Sequence, residues 1–215
     1  MAAHATRLVI LIAAFGCAWA QPPQPRDQAS MYWDRVYSAD KPIFSLKPTE
    51  LLVSAVLGRP RGRALDIGMG QGRNALFLAE QGWDVTGFDL SQEGVRQAQA
   101  EAGKRNVRLN AVVSREEDFE LRTAVWDLIV MTYVRRIRAG DAERFTRALK
   151  PGGIFVYENN NVGKPNELLR QFTAFRILRF EDVDVNSDWH PDTKQRVERL
   201  IAQKVTEPPA NADKR

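Results

Sequence analysis

Cysteine and histidine are almost missing from this chain of 215 residues, which holds one cysteine, Cys17, and two histidines, His4 and His190. No structural zinc site and no disulfide can be assembled from that set, and a histidine-based triad would rest on His190 alone. An excess of one charge is lacking too. The net charge is +4, and no basic stripe carries interleaved aromatics, so the charge pattern does not argue for a nucleic-acid partner. No internal repeat is visible. The apolar run at residues 8–15 is shorter than the roughly 20 residues that cross a bilayer as a helix. What is there, 44% hydrophobic and 27% charged residues, is the composition of an ordinary globular domain, long enough to close one α/β core.

The apolar run belongs to the N-terminus. Arg7 precedes it and Ala18-Trp19-Ala20 follows it, the order of a secretory signal: a positive start, a short apolar stretch, an A-x-A cleavage site. Residues 1–20 are therefore expected to be a signal peptide, the protein to be exported or periplasmic, and membrane contact to run only through that segment. Cleavage after Ala20 removes Cys17. Lipidation of Cys17 is the lesser reading, because Ala14 rather than leucine stands three positions before it. Initiation at Met31, which would keep the protein cytoplasmic, is a further alternative. Residues 21–30 hold three prolines and read as a linker; residues 205–215 read as a polar tail.

Glycine is concentrated where it matters. Gly68, Gly70 and Gly72 alternate behind Ala64-Leu65-Asp66-Ile67, a short apolar run that suits a parallel strand covered on both faces. Residues 74–80 then read as a helix, with Gly82 just past its end. A tight turn with free N–H groups at a helix start holds a nucleotide-like ligand. A dinucleotide fingerprint, G-x-G-x-x-G, needs its third glycine at position 73, which is Arg73. The acid inside the strand, Asp66, adds nothing for a pyrophosphate but suits a cationic amino-acid moiety. A second strand over 83–90 ends in Asp89, whose carboxylate can accept from both hydroxyls of a ribose. That supports an adenosine ligand without choosing between cofactors.

Along the rest of the chain, residues 31–37 read as a helix, and Thr49 is placed to cap another through Leu57. Residues 91–100 read as a helix capped by Ser91. Strands are expected over 107–113, 126–133 and 154–158, the last after a helix over 141–149 stopped by Lys150-Pro151-Gly152-Gly153. A helix near 166–172 and an antiparallel pair, 175–183 with 197–204, close the chain. Arg135, Arg136 and Arg138 either attract an anionic substrate or form a solvated face.

The D-x-G-x-G-x-G pattern at 66–72, the strand-ending Asp89, the Trp126-Asp127 strand start and Leu149-Lys150-Pro151-Gly152-Gly153 together resemble the class I S-adenosylmethionine (SAM)-dependent methyltransferases, over roughly residues 31–204. The lead segment, with Tyr32-Trp33-Asp34, Tyr37-Ser38 and Pro42-Ile43-Phe44-Ser45, is similar to that of small bacterial methyltransferases of the tellurite-resistance and thiopurine type. The resemblance implies an α/β fold: a Rossmann-like, seven-stranded, mostly parallel sheet with helices on both faces and a C-terminal antiparallel hairpin. It implies SAM as cofactor. Asp66, Gly68, Met69, Gly70, Gly72 and Asn74 would hold its methionine part, and Asp89 with Leu90 its ribose. In this family the loop after the third strand offers an acid to the adenine; here Arg115 stands at the aligned position, and Glu116, Glu117 or Asp118 would take over that cofactor contact, Glu117 and Asp118 being the expected cofactor-binding pair.

The aromatic lead makes Trp33, Tyr37 and Phe44 candidate walls for a sulfonium. Tyr133, at the end of the fourth strand, is a candidate for the methyl pocket or for orienting a substrate. No metal ligand and no general base is named. The implied reaction is in-line displacement of a methyl group from sulfur by an N, O, S or metalloid atom of a small-molecule acceptor, with the protein supplying positioning and desolvation. Two other readings stand beside it: a SAM-binding but catalytically silent relative, and an NAD(P)-binding oxidoreductase, which Arg73 disfavours. No feature of the sequence points to an oligomeric state.

Overall fold

The computed structural model describes residues 27–39, 44–187 and 193–206. The expected signal peptide, most of the expected linker, residues 41–43, His190 and the tail after residue 206 lie outside the described residues. In chain order the elements are α1 (Gln28–Tyr37), α2 (Glu50–Val56), β1 (Arg63–Ile67), α3 (Arg73–Glu80), β2 (Asp84–Asp89), α4 (Gln92–Lys104), β3 (Leu109–Val113) and β4 (Trp126–Thr132). They continue with α5 (Asp141–Ala148), β5 (Leu149–Asn159), α6 (Glu167–Gln171), β6 (Phe175–Asn186) and β7 (Lys194–Lys204).

Seven strands form one sheet in the order β3-β2-β1-β4-β5-β7-β6. The first five run parallel, and β7 inserts antiparallel between β5 and β6. This is the Rossmann-like arrangement with a closing antiparallel hairpin. Alternation along the strands sends side chains to two cores. Leu65, Ile67, Ile129, Phe155 and Tyr157 meet Phe145 of α5 and Leu168 of α6 on one face. Ala64, Leu128, Val130 and Val156 meet α2, α3 and α4 on the other. Asp66 is in step with Ala64, so it faces the second group of helices. Strand order reverses between β1 and β4, and a crevice at their carboxyl ends is where such sheets bind ligands.

Several details differ from the sequence expectation: α4, β6 and β7 run longer, to Lys104, to Asn186 and from Lys194. Helix α1 begins at Gln28, inside the expected linker, because Asp27 caps it by accepting from the Ser30 N–H at 2.9 Å. Thr49 sits at the start of α2 but its hydroxyl makes no cap; it is buried without a partner, while its backbone N–H donates to Asn74 Oδ1 at 3.0 Å. Strand β3 begins at Leu109, two residues later than expected. Residues 149–153 do not merely stop α5: they already belong to β5, and the pairing jumps from Trp126↔Leu149 to Leu128↔Ile154. The extra residues are taken up as a bulge, with Gly152 at φ +78°.

Candidate functional site

The turn between β1 and α3 is made possible by its glycines. Gly68 and Gly70 have φ +65° and +55°, conformations that side-chain-bearing residues rarely adopt. A Cβ at Gly68 would run into Val134, and one at Gly70 into the Tyr37 hydroxyl. Met69 donates its N–H to Phe88 O at 3.0 Å, tying the turn to β2. Gly72 caps α3 and lies against Ala98 of α4.

These elements enclose a cavity of about 120 Å³ at the carboxyl ends of β1, β2 and β4. Its floor is Asp66 with Gly68, Met69 and Gly70; Asp89 and Leu90 form one side, and Asn74, Thr132, Tyr133 and Val134 the other. Trp33, Tyr37, Phe44, Ser45 and Leu46 of the lead segment close it over. Three of them form an aromatic stack: Trp33 and Tyr37 at 5.9 Å between centroids, Tyr37 and Phe44 at 5.8 Å edge-on. Helix α1 is fastened there by Asp34, whose carboxylate accepts from Ser91 Oγ at 2.7 Å and the Glu93 N–H at 3.0 Å, at the start of α4. Ser91 in turn caps α4, accepting from the Gly94 N–H.

The two acids are held very differently. Asp89 is 6% exposed; its Oδ2 accepts from the Gly70 N–H at 2.9 Å and its Oδ1 from the Ser91 N–H at 2.8 Å. Burial still raises its pKa above the usual carboxylate range, against those backbone donors and with Asp34 adding to the rise. Asp66 is 1% exposed, and its Oδ2 has no hydrogen-bond partner among the described residues. Burial pushes it up to about 7, partly offset by Arg73 and the Ala75 N–H, while Asp89 adds to the rise. A buried acceptor without a partner is costly; a cationic donor entering the cavity would satisfy it. Tyr37 sits between these charges, and burial, then Asp89, holds its phenol well above the ordinary tyrosine range.

Arg73, read in the sequence only as the residue replacing a glycine, lines the same cavity. Its guanidinium lies 5.8 Å from the Tyr133 ring centroid and donates to Lys47 O at 3.3 Å. Asn74 is a pin: it accepts from Thr49 N–H and donates to Thr132 Oγ1 at 2.9 Å, joining the lead segment, α3 and β4.

Of the residues expected at the site, Trp33, Tyr37, Phe44, Asp66, Gly68, Met69, Gly70, Asn74, Asp89, Leu90 and Tyr133 line the cavity, and Gly72 stands behind it as the α3 cap. Glu117 and Asp118 do not reach it; both are exposed. The acidic loop faces arginines instead. Glu117 pairs with Arg115 at 3.2 Å, Arg115 also pairs with Asp27 before α1, and Glu116 is clamped between Arg135 and Arg144. Arg135 is further fixed on Asp141 at 2.6 Å, so it is neither a solvated cation nor at the cavity. Ser45, Leu46, Gln71, Arg73 and Val134 are lining residues that the sequence reading left aside.

Comparison with known proteins follows from this geometry. Residues 64–153 match the family model described as "Methyltransferase domain". A ubiquinone biosynthesis O-methyltransferase of Photobacterium profundum is 33% identical over 159 residues, 71% of this chain and 67% of that protein. An S-adenosyl-L-methionine-dependent Diels-Alderase of Talaromyces variabilis is 36% identical over 120 residues, 52% of this chain and 41% of that protein. The chain thus spans less than half the length of some curated relatives it matches. Among solved structures, a SAM-dependent methyltransferase from Methanosarcina mazei superposes with a TM-score of 0.60 at 20% identity, covering 74% of this chain and 100% of that one.

Proposed function

The chain belongs to the class I SAM-dependent methyltransferases, with SAM as cofactor, and from that premise we propose that it transfers a methyl group to a small-molecule acceptor at the cavity between β1 and β4. The observation that carries this reading is Asp66: a carboxyl group buried in the cavity wall, with one oxygen lacking a hydrogen-bond partner among the described residues.

The residues present fit the cofactor. Asp66 Oδ2 would accept from an α-ammonium, and Arg73 on the same cavity would face the α-carboxylate. Each oxygen of Asp89 already accepts one backbone N–H and has capacity for one more donor, as a ribose diol requires. The Trp33–Tyr37–Phe44 stack supplies aromatic surface for a sulfonium. When bound, SAM brings a methyl group already activated by its sulfonium, so the chain's own work is to orient it, exclude water and align the acceptor. Tyr37 does part of the excluding, since its ring closes over Gly70 and Gly94. Several relatives carry O-methyltransferase in their names, which supports oxygen among the acceptors.

A second reading is favoured by one observation. The Talaromyces relative is named for a SAM-dependent cycloaddition rather than a methyl transfer, so SAM in this fold can also serve a reaction other than methyl transfer. Isothermal calorimetry with SAM and NAD tests the first step: saturable heat with SAM, none with NAD, and loss of the SAM signal in Asp66→Ala. Following methyl-labelled SAM then separates the readings, because methyl transfer yields S-adenosylhomocysteine and a labelled acceptor, whereas the cycloaddition reading leaves SAM intact. Unchanged SAM affinity in Asp66→Ala would contradict the proposed site. Export to the periplasm, the sequence's own expectation for residues 1–20, is tested by N-terminal sequencing of the expressed protein, which distinguishes a start at Gln21 from one at Met31.

A further inference from the structure

Two costly features meet at the end of β4, and neither is needed to build the sheet. Tyr133 follows the last residue of β4 with φ +57°, a strained conformation for a bulky residue. Glu158, on β5, is 2% exposed, and a carboxyl group at that depth is costly unless it is paired. The strained backbone brings the two together. Tyr133 donates its backbone N–H to Glu158 O at 2.8 Å and its phenol O–H to Glu158 Oε1 at 2.5 Å.

The far side of Glu158 is fixed as well. Oε2 accepts from Arg199 Nε on β7 at 3.0 Å, and Arg199 reaches Glu181 on β6 at 3.4 Å. Arg179 holds Glu181 from β6 itself at 2.8 Å. On the cavity side, Arg73 lies over the Tyr133 ring. A row of alternating charges therefore runs from the sheet edge to a phenol in the cavity wall. The register of the strands makes it possible: Thr132 pairs with Glu158, and Glu158 with Arg199, so these side chains share one face.

We infer that Tyr133 and Glu158 form a proton relay for a protic acceptor, one whose attacking atom is a hydroxyl oxygen or an amine nitrogen still carrying its proton. The inference rests on the methyl-transfer reading and narrows its acceptor class. A phenol whose proton is directed onto a carboxylate is a hydrogen-bond acceptor toward an incoming O–H or N–H. As the acceptor's lone pair forms the new bond to the methyl carbon, the carbon–sulfur bond breaks and its electron pair goes to sulfur. The acceptor's proton passes to the Tyr133 oxygen while the Tyr133 proton passes to Glu158, which leaves neutral S-adenosylhomocysteine, a methylated acceptor and a protonated Glu158. Arg199 stays paired with Oε2 of Glu158, which leaves Oε1 to Tyr133. Tyr133 is the catalytic residue of this pair; Glu158 acts through it and is a positioning residue. A thiolate or metalloid oxyanion is already ionised and has no use for the relay.

The test has a binding arm and a rate arm. Catechol, phenol and benzylamine are titrated by calorimetry into protein saturated with S-adenosylhomocysteine, alongside anisole, which has no proton to give. Binding of at least one protic probe is expected. Tyr133→Phe should weaken it at least fivefold, with anisole unaffected and S-adenosylhomocysteine affinity held within about threefold. With SAM, transfer to that probe should fall about 100-fold in kcat in Tyr133→Phe, with KM raised no further than the loss of probe binding, a split that a loosened fold would not give. Glu158→Gln should lose kcat similarly, and the double variant should lose no more than either single one. The relay is overturned if Tyr133→Phe keeps kcat on a hydroxyl or amine probe. Transfer only to thiols or to selenite overturns it too, as does the absence of binding and transfer for every protic probe while SAM binds. Absence of SAM binding itself would instead overturn the cavity reading above. Because Glu158→Gln disturbs a buried ion pair, the Tyr133→Phe arm decides the matter alone if that variant does not fold.

Discussion

Asp66 concentrates the account into one side chain. Its ordinary pKa of 3.8 is pushed up to about 7 by burial. Below pH 4 the folded and unfolded chains both hold the proton. Between about 4 and about 7 the unfolded chain gives it up while the folded one keeps it, so this residue's contribution to stability falls as pH rises through that window and is flat above it. The full span is on the order of 4 kcal/mol. Asp66→Asn should therefore raise the melting temperature of the ligand-free protein at pH 8 but not at pH 4, as differential scanning calorimetry will show. The same proton opposes binding of a ligand ammonium. SAM affinity should climb about tenfold per pH unit from 5 to 7 and level off beyond, with proton release visible as a buffer-dependent binding heat. Gly70→Ala, which forces a Cβ at φ +55° against the Tyr37 hydroxyl, should lower the urea midpoint by the equivalent of about 1–3 kcal/mol. At this scale the sequence was informative about Asp66, Asp89 and the glycines because their types and spacing are local. It was silent about Tyr133 with Glu158, whose contact depends on strand register across 25 positions. The cavity role of Arg73 was likewise hidden, since position 73 read only as an absent glycine.

Among the elements, α1 is the one with a job beyond packing. Asp34 accepts from two groups at the start of α4, near the positive end of that helix, and this fastens the aromatic lid over the cavity. Asp34→Ala should cost about 1–2 kcal/mol in thermal unfolding. It should also weaken SAM binding severalfold, measured by calorimetry, while leaving far-UV circular dichroism unchanged. The parallel strands and the helices between them were legible because apolar runs and turn residues alternate along the chain. Helix α1 begins at Gln28 rather than at Met31, because Asp27, at the end of a proline-rich stretch, caps it. The Lys150-to-Gly153 stretch looked like a plain turn, yet it is a bulged strand start, a distinction that exists only once β4 lies beside it. The acidic loop after β3 pairs with its own Arg115 and with Arg135 and Arg144 from farther along the chain, contacts that residue type and spacing do not announce.

The whole molecule places a pocket with two buried acids at the reversal point of a sheet that has an apolar core on each face. Phe155 stacks between Phe145 at 4.5 Å and Phe172 at 5.3 Å and is fully buried. Phe155→Ala should cost about 3–5 kcal/mol in urea denaturation, with SAM affinity in the surviving folded fraction little changed, because this core lies across the sheet from Asp66. Ligand linkage should also show: at a hundredfold excess over its dissociation constant, SAM should stabilise the fold by about 2.7 kcal/mol. The most direct measurement is a crystal structure of the protein with S-adenosylhomocysteine. The account predicts the amino group on Asp66 Oδ2, the carboxylate toward Arg73 and the ribose hydroxyls on Asp89, beneath the Trp33–Tyr37–Phe44 stack. A ligand lodged elsewhere, or Asp66 still without a partner beside it, would contradict the account.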